Sequence, residues 1–322
     1  MKLKQILPII GIILLCYILL TLDGIKIVAV FASIPIQYLL LSFLSFVPIV
    51  LFFNFEWQLI LKRHHIHVSY LTSLKNIFIG YFYGFITPGG FGAYTRVLYL
   101  SEDSGETLHK CFANILIFNT VDYLSLLSIG LVGGLYLSSF IPTVFPIFFI
   151  VFLGIIGVIA ILIRKETGQA LLTRLIKSEM LSSKWKDKLA LHIDSLYKDI
   201  PKITDLLPPY TAALLGWILW FIELFFIAQL FDIHIPFVSF LFIVAVTNVL
   251  ASIPISIYGL GTREAALLWL FSLYEIPAEN VISLSLFWFV LLWLMPSIIG
   301  AFVTLNETRK QKGMKTILEK RG

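Results

Sequence analysis

Two short segments, TPGGFGAYTR and IPISIYGLGTRE, interrupt long apolar stretches with proline, glycine and a basic residue. Glycine lets the backbone turn sharply and approach a ligand closely, and a guanidinium group can hold a phosphate through two hydrogen bonds. The first turn of a helix that follows such a segment also attracts anions. The two segments therefore predict anion-binding sites, with these candidate residues: Gly89, Gly90, Gly92, Arg96, Gly259, Gly261, Arg263 and Glu264.

The same residues also have a structural interpretation. A tip built from proline and glycine is a simple way to close a hairpin. Arg263 can pair with Glu264 or with another acid and hold helices together. The anion site and the structural role are compatible, and the sequence leaves both open.

Two acidic residues lie inside apolar stretches, Asp122 in FNTVDYLSLL and Glu223 in LWFIELFF. Ionisable groups within a membrane segment are functional candidates by default. We expect them to act as counter-ions for Arg96 and Arg263 or as proton carriers that drive transport, and a position near the membrane interface is the remaining alternative.

Composition identifies the class of protein. The chain has 322 residues, of which 59% are hydrophobic and only 13% charged, with a mean hydropathy of +0.93. Soluble domains carry about 25% charged residues, so we predict an integral, multi-pass membrane protein. Its two cysteines indicate neither a disulfide framework nor a zinc site. The P-loop, G-x-S-x-G and H-E-x-x-H motifs are absent, and we expect no cofactor, no nucleic-acid partner and no enzymatic activity.

The apolar runs predict an all-α fold of about six full spans and two interrupted helical hairpins. A span needs about 20 apolar residues, and the six runs that reach this length are about 5–22, 28–53, 111–137, 142–163, 210–231 and 281–304. The hairpins cover about 70–100 and 237–273. Their second limbs are short enough to cross only half of the hydrocarbon, so we interpret both hairpins as re-entrant. Full helical pairs are the alternative.

Basic residues support this layout. With the N-terminus inside, 21 of the 24 lysines and arginines lie on the cytoplasmic side. Most belong to an amphipathic loop at 164–209 and a basic tail at 305–322. Full helical pairs in place of the hairpins would preserve the sorting, so charge leaves the span count open. We predict a cytoplasmic (inner) membrane protein with both termini in the cytoplasm.

The order of elements predicts an internal repeat within a single domain, 1–322. In one unit, about 28–137, a span runs inward, a hairpin follows and a span returns outward. The other unit, about 210–304, has the same order turned upside down. Inverted repeats with broken helices near the midplane are a recurrent transporter architecture.

The second segment resembles the transmembrane region of lysylphosphatidylglycerol synthases, part of a broad flippase-like family. The family pattern P-x-S-x-G-G-x-G-x-R-E is matched except that Tyr258 replaces one glycine, and the matching residues are Pro254, Ser256, Gly259, Gly261, Arg263 and Glu264. A second family pattern, P-G-x-x-G-E-x-x-R, is matched by Pro88, Gly89, Gly92 and Arg96, with Ala93 at the usual acid.

The resemblance implies lipid translocation without lipid synthesis. The family's namesakes carry a soluble aminoacyl-transferase domain, whereas this sequence ends soon after its last predicted span, so we expect no such domain. The implied cargo is a phospholipid or a polyprenyl-phosphate-linked glycan with an anionic or zwitterionic head group. A membrane enzyme that uses a lipid-linked donor and a non-transporting scaffold are the alternatives, and the sequence leaves homo-oligomerisation open.

Overall fold

A computed structural model describes residues 14–143, 145–146, 149–150, 152–154, 156–157, 203–252 and 259–319. Every regular element in this part of the chain is a helix, which confirms the predicted all-α class. Most of the predicted 164–209 loop lies outside the described residues, as do Pro254 and Ser256.

The helices are labelled in chain order. Their bounds are α1 Leu14–Thr21, α2 Gly24–Ser33, α3 Ile36–Arg63, α4 Tyr70–Phe85, α5 Arg96–Ser104, α6 Leu108–Leu137, α7 Leu207–Leu230, α8 Phe237–Ala251, α9 Thr262–Ser272, α10 Ala278–Phe289 and α11 Met295–Glu319. Short 3₁₀ segments cover Pro88–Thr95 and Ile203–Leu206, and a π-helical turn at Val290–Leu294 joins α10 to α11.

Four helical stretches are long and apolar enough to cross a membrane: Ile36–Arg63, Leu108–Leu137, Thr204–Leu230 and Ala278–Glu307. They match four of the six predicted runs. Half of run 142–163 and the beginning of run 5–22 fall outside the described residues. The protein is therefore an integral, multi-pass membrane protein.

The predicted run 28–53 has the wrong bounds. Pro35 separates α2 from α3, because proline cannot continue the hydrogen-bond ladder of a preceding helix. Asp23 caps the start of α2 by accepting from the N–H groups of Ile25 and Lys26. As a result α1 and α2 meet at a bend of 83°, and the span itself is α3, which continues to Arg63.

Each predicted hairpin region contains a longer helix followed by a short one, α4 and α5 in the first region and α8 and α9 in the second. The short limbs α5 and α9 have 9 and 11 residues. At 1.5 Å per residue they are about 14 and 17 Å long, well below the roughly 30 Å of hydrocarbon. A left-handed Gly105 ends α5.

One constant offset in residue number relates two parts of the chain. This offset is the difference in residue number between Arg63, the last residue of α3, and Leu230, the last residue of α7. We call it the repeat offset. Shifted by this offset, α3 covers 203–230, which is the range of the second 3₁₀ segment and α7. In the same way α4 shifts to 237–252 and α5 to 263–271, nearly coincident with α8 and α9.

The turns that end α3 and α7 obey the same relation. Each contains a residue with positive φ, His65 after α3 and Asp232 after α7, and these two residues are separated by the repeat offset. The agreement therefore extends from helix bounds to backbone conformation.

The two related helices α3 and α7 pack against each other in opposite directions. Ser45 of α3 contacts Glu223, Phe52 contacts Gly216, and Arg63 contacts Asp205 just before α7. Since residue numbers rise along one helix as they fall along the other, the pair is antiparallel. Their interface forms much of the main hydrophobic core, with the Phe46 and Trp220 rings 5.5 Å apart.

The remaining helices also pack in related pairs. Helix α6 packs on α8 and α11 packs on α4, and each contact includes a glycine. Gly133 of α6 faces Phe242, and Gly300 of α11 faces the backbone of Phe78. These two glycines are again separated by the repeat offset. The long limb of each hairpin is therefore packed against a span from the other half of the chain.

Candidate functional site

The first tip is folded tightly against the end of α4. The Gly92 N–H donates to Thr87 Oγ1 at 2.7 Å, and the Thr87 hydroxyl donates to the Tyr83 carbonyl at 2.8 Å. A Cβ at Gly92 would lie 2.0 Å from the Tyr83 oxygen, so no side chain fits there. Gly90 has a φ of 72°. These two glycines permit the turn and the close packing that bring Arg96 to the start of α5.

Arg96 begins α5 and is only 8% exposed. Its Nη2 donates to Asn119 Oδ1 at 2.9 Å, and its guanidinium carbon lies 5.2 Å from the ring centres of both Trp57 and Phe118. Gly80 of α4 makes room for the arginine stem, because a Cβ there would lie 3.1 Å from Arg96 Cδ. Arg96 Nε is buried without an acceptor among the described residues.

Acidic groups lie near Arg96 but outside ion-pair distance in the described part of the chain. Asp122 interacts electrostatically with Arg96, and one of its carboxylate oxygens accepts from Trp217 Nε1 at 2.8 Å. Glu56 of α3 interacts electrostatically with Asp122. Glu56 is 0% exposed, and neither of its oxygens has a hydrogen-bond partner within the described residues.

The second tip places its arginine in a closed ion pair. Arg263 Nη2 lies 2.6 Å from Glu264 Oε1, and both side chains are almost completely buried. The Ser285 hydroxyl donates to the same carboxylate oxygen at 2.7 Å, and Arg263 Nε lies 2.9 Å from that hydroxyl. The guanidinium group also covers the Trp288 ring at 5.2 Å.

Glycine conformation and Glu264 build the second tip. Gly259 and Gly261 have φ values of 76° and 84°, which residues with a side chain rarely adopt. The Gly261 N–H donates to Glu264 Oε2 at 2.5 Å. Glu264 therefore caps α9 with one oxygen and neutralises Arg263 with the other, and the predicted pairing of Arg263 with Glu264 is confirmed.

Glu223 lies apart from both arginines. It lines a groove of about 410 Å³ between α3 and α7, together with Tyr38, Ser42 and Ser45. Ser45 Oγ donates to Glu223 Oε1 at 2.6 Å. Its other oxygen has no hydrogen-bond partner among the described residues.

Sequence reasoning overlooked Glu56 and Ser285, and it did not predict that the uncharged Asn119 is the hydrogen-bond partner of Arg96. A signal for Glu56 was present, because the repeat offset that relates Arg96 to Arg263 also relates Glu56 to Glu223. Asn119 and Ser285 gave no such signal, because the structure alone brings them to the guanidinium groups.

The repeat offset also aligns the two tips. It pairs Gly92 with Gly259, so each arginine follows its related glycine at the same distance along the chain. The last glycine of the second tip, Gly261, has Tyr94 as its related residue. The two tips therefore share the positions of one glycine and one arginine.

Comparison with known proteins now gives the family. The model of the lysylphosphatidylglycerol synthase TM region matches residues 6–300. The chain belongs to this family. It is also similar to a UPF0104 membrane protein of Pyrococcus horikoshii, with 23% identity over 95% of this chain and 98% of the relative. The resemblance found from the two glycine-arginine patterns is therefore confirmed.

The described residues hold no group of three or more His, Cys, Asp or Glu side chains that could bind a metal ion. The polar features of the described interior include the Arg96 cluster, the Arg263–Glu264 pair and the Glu223 groove. The family match alone assigns no role to any of them.

Proposed function

We propose that this protein moves an anionic or zwitterionic lipid across the membrane, and that its two halves form an inverted-topology repeat. The repeat offset and the antiparallel contact between α3 and α7 support this arrangement. Broken helices at the contact of inverted repeats are typical of transporters. Family membership adds support, since its description concerns the membrane region of a lipid-modifying protein.

The proposed topology keeps both termini in the cytoplasm of an inner-membrane protein and both hairpins re-entrant. The basic residues at the ends of α3 and α11 favour the cytoplasmic side for those ends. The short limbs α5 and α9 support hairpins that return to the side they entered from. Non-helical tips at membrane depth require protein or water around them, which suits a transport pathway.

Arg96 is the main support for the proposal, because its guanidinium group is incompletely paired. Its guanidinium group has an amide and two aromatic rings as neighbours, an Nε without an acceptor, and no acid within ion-pair distance in the described residues. A buried cation in this state is costly, and a phosphate would provide the missing charge and acceptor. We assign Arg96, with Gly89, Gly90 and Gly92, to the head-group site. Arg263, Glu264, Gly259 and Gly261 form its structural counterpart.

Reconstitution tests this function. Purified protein would be placed in vesicles with a trace of fluorescent lipid, and an impermeant reductant would quench the outer leaflet. We expect the protein to expose inner-leaflet probe for at least one of phosphatidylglycerol, phosphatidylethanolamine and a polyprenyl phosphate. Arg96→Ala should abolish the effect, whereas Lys26→Ala, at an exposed basic residue, should retain it. Rates equal to protein-free vesicles for all three lipids would refute the proposal.

A further inference from the structure

Glu56 and Glu223 occupy related positions at opposite ends of the α3–α7 interface. Each lies seven residues before the last residue of its helix, since α3 ends at Arg63 and α7 at Leu230. Because the helices are antiparallel, the two carboxyl groups lie toward opposite ends of the interface. Across that interface, Ser45 faces Glu223, and the residue related to Ser45 by the repeat offset is Ala212.

The two ends of this interface differ in openness. At the Glu223 end, α3 and α7 separate to form the groove of about 410 Å³. At the Glu56 end, Ala212 is buried and Glu56 has no exposed surface. The Arg63 and Asp205 side chains approach to 3.6 Å at this end. By the repeat offset, Arg63 is related to Leu230 and Asp205 to Tyr38, and Leu230 and Tyr38 both line the open groove. The two ends of the α3–α7 interface are thus built from related residues, yet the Glu223 end is open and the Glu56 end is closed.

The closed end leaves a carboxyl group without a donor. Neither Glu56 oxygen has a hydrogen-bond partner in the described structure, and alanine provides no replacement for the Ser45 hydroxyl. Among the described residues, the charged and titratable groups around this region are Asp122 on α6, with Arg96 on α5, Tyr81 on α4 and Tyr123 on α6 near that aspartate, and the Arg63–Asp205 pair at the end of the interface. An ionised carboxylate without a donor is strongly disfavoured in an apolar interior, and the nearby Asp122 adds repulsion when it is ionised.

We propose that Glu56 and Glu223 are a pair of proton-binding sites that the protein exposes in turn on opposite sides of the membrane. Closing an end of the interface requires its carboxyl group to take up a proton, and opening that end lets the proton leave. In the structure, the Glu223 end is open and the Glu56 end is closed. The inference rests on the proposed lipid transport, which this exchange would drive or regulate. Tyr38 is a titratable neighbour of Glu223 in the groove.

Cysteine accessibility tests the exchange without any lipid assay. Ala212→Cys would be placed in full-length protein carrying Cys16→Ser and Cys111→Ala, and labelled with an impermeant maleimide at about pH 6 and about pH 8. The matched control is the same cysteine in a Glu56→Gln background, where the thiol still responds to pH but position 56 does not. We expect labelling with Glu56 present, divided by labelling in the Glu56→Gln background, to be several-fold higher at about pH 8 than at about pH 6. A ratio that stays constant would overturn the inference.

A pH gradient across lipid-containing vesicles provides the second readout. One pH unit should produce up to about tenfold accumulation of the transported lipid per coupled proton. Glu56→Gln and Glu223→Gln should each remove this accumulation, while Glu279→Gln, at a surface ion pair, should not. Lipid movement without a gradient effect or a labelling response would refute the proton sites and leave lipid transport intact. A labelling response in protein that moves no lipid would support the proton sites and refute the proposed function.

Discussion

The two hairpin tips place an arginine at related positions but surround it differently. Arg263 is neutralised by Glu264, with Ser285 completing the network. Arg96 has Ala93 near its tip in place of the family's usual acid, and its hydrogen-bond partner is the amide of Asn119. Two arginines separated by the repeat offset thus differ in their pairing, since one belongs to a closed ion pair and the other is an incompletely paired cation. Function is therefore expected at the tip with the weaker pairing.

The largest expected effect comes from removing the acid of the closed pair. Glu264→Gln leaves the Arg263 charge buried without a counter-ion, which typically costs about 3–5 kcal/mol. It also weakens the cap on the Gly261 N–H. The unfolding midpoint in detergent should fall sharply, whereas Glu279→Gln should change it little. Equal midpoints for Glu264→Gln and wild type would show that the pair is not the stabilising element described.

A smaller effect is expected at the glycine crossings that support the two hairpins. A Cβ on Gly300 would stand 1.9 Å from the Phe78 carbonyl oxygen, so Gly300→Ala must shift α11 or α4. Overpacking of this kind costs about 1–3 kcal/mol. Gly133→Ala should cost less, because its nearest contact is a Phe242 side chain at 3.1 Å. A larger fall in the unfolding midpoint for Gly133→Ala than for Gly300→Ala would contradict this expectation.

Replacing the incompletely paired arginine should affect stability less than removing Glu264. Arg96→Gln loses one charge-assisted hydrogen bond and two ring contacts, for which we expect a loss of about 1–2 kcal/mol. Transport should nevertheless be lost, and Arg96→Lys should restore only part of it because a lysine lacks the planar fork. Urea or thermal unfolding would measure the first effect and vesicle assays the second. A destabilisation as large as that of Glu264→Gln would assign Arg96 a structural role instead.

The smallest effect on stability is expected at the closed end of the α3–α7 interface. Arg63 and Asp205 are half-exposed, and such pairs contribute about 0–1 kcal/mol. Arg63→Gln should barely change the unfolding midpoint, yet it should increase maleimide labelling of Ala212→Cys by loosening the closed end. Equal labelling of Ala212→Cys with and without Arg63→Gln would show that this ion pair does not help to keep the end closed.

The sequence predicted the helical class, four of the spans and the Arg263–Glu264 pair, because each leaves a local signal. Long apolar runs identify spans, and helix breakers identify tips. The sequence did not separate α2 from α3, since Pro35 lies within continuous apolar residues. Nor did it identify the Arg96 partners, because Asn119 and Trp57 reach the guanidinium from other helices through tertiary packing. Glu56 was detectable only through the repeat offset.

Arg96 and Arg263 also show that a local sequence pattern does not determine how a buried arginine is paired. The two glycine-arginine segments predicted two equivalent anion sites, yet the residues that decide between a site and a structural pair lie elsewhere. Glu264 follows its arginine directly and was visible in the sequence. Whether a comparable acid closes on Arg96 depends on where α6 places Asp122, which instead accepts from Trp217 of α7.

Lipid translocation by Arg96→Ala, measured beside Arg96→Lys and wild type in the same vesicles, decides whether transport needs the Arg96 guanidinium group. We predict clear transport for wild type, residual transport for Arg96→Lys and none for Arg96→Ala, with all three proteins folded by thermal unfolding. Transport by Arg96→Ala at the wild-type rate would show that head groups pass through the protein without this guanidinium, and would contradict the account.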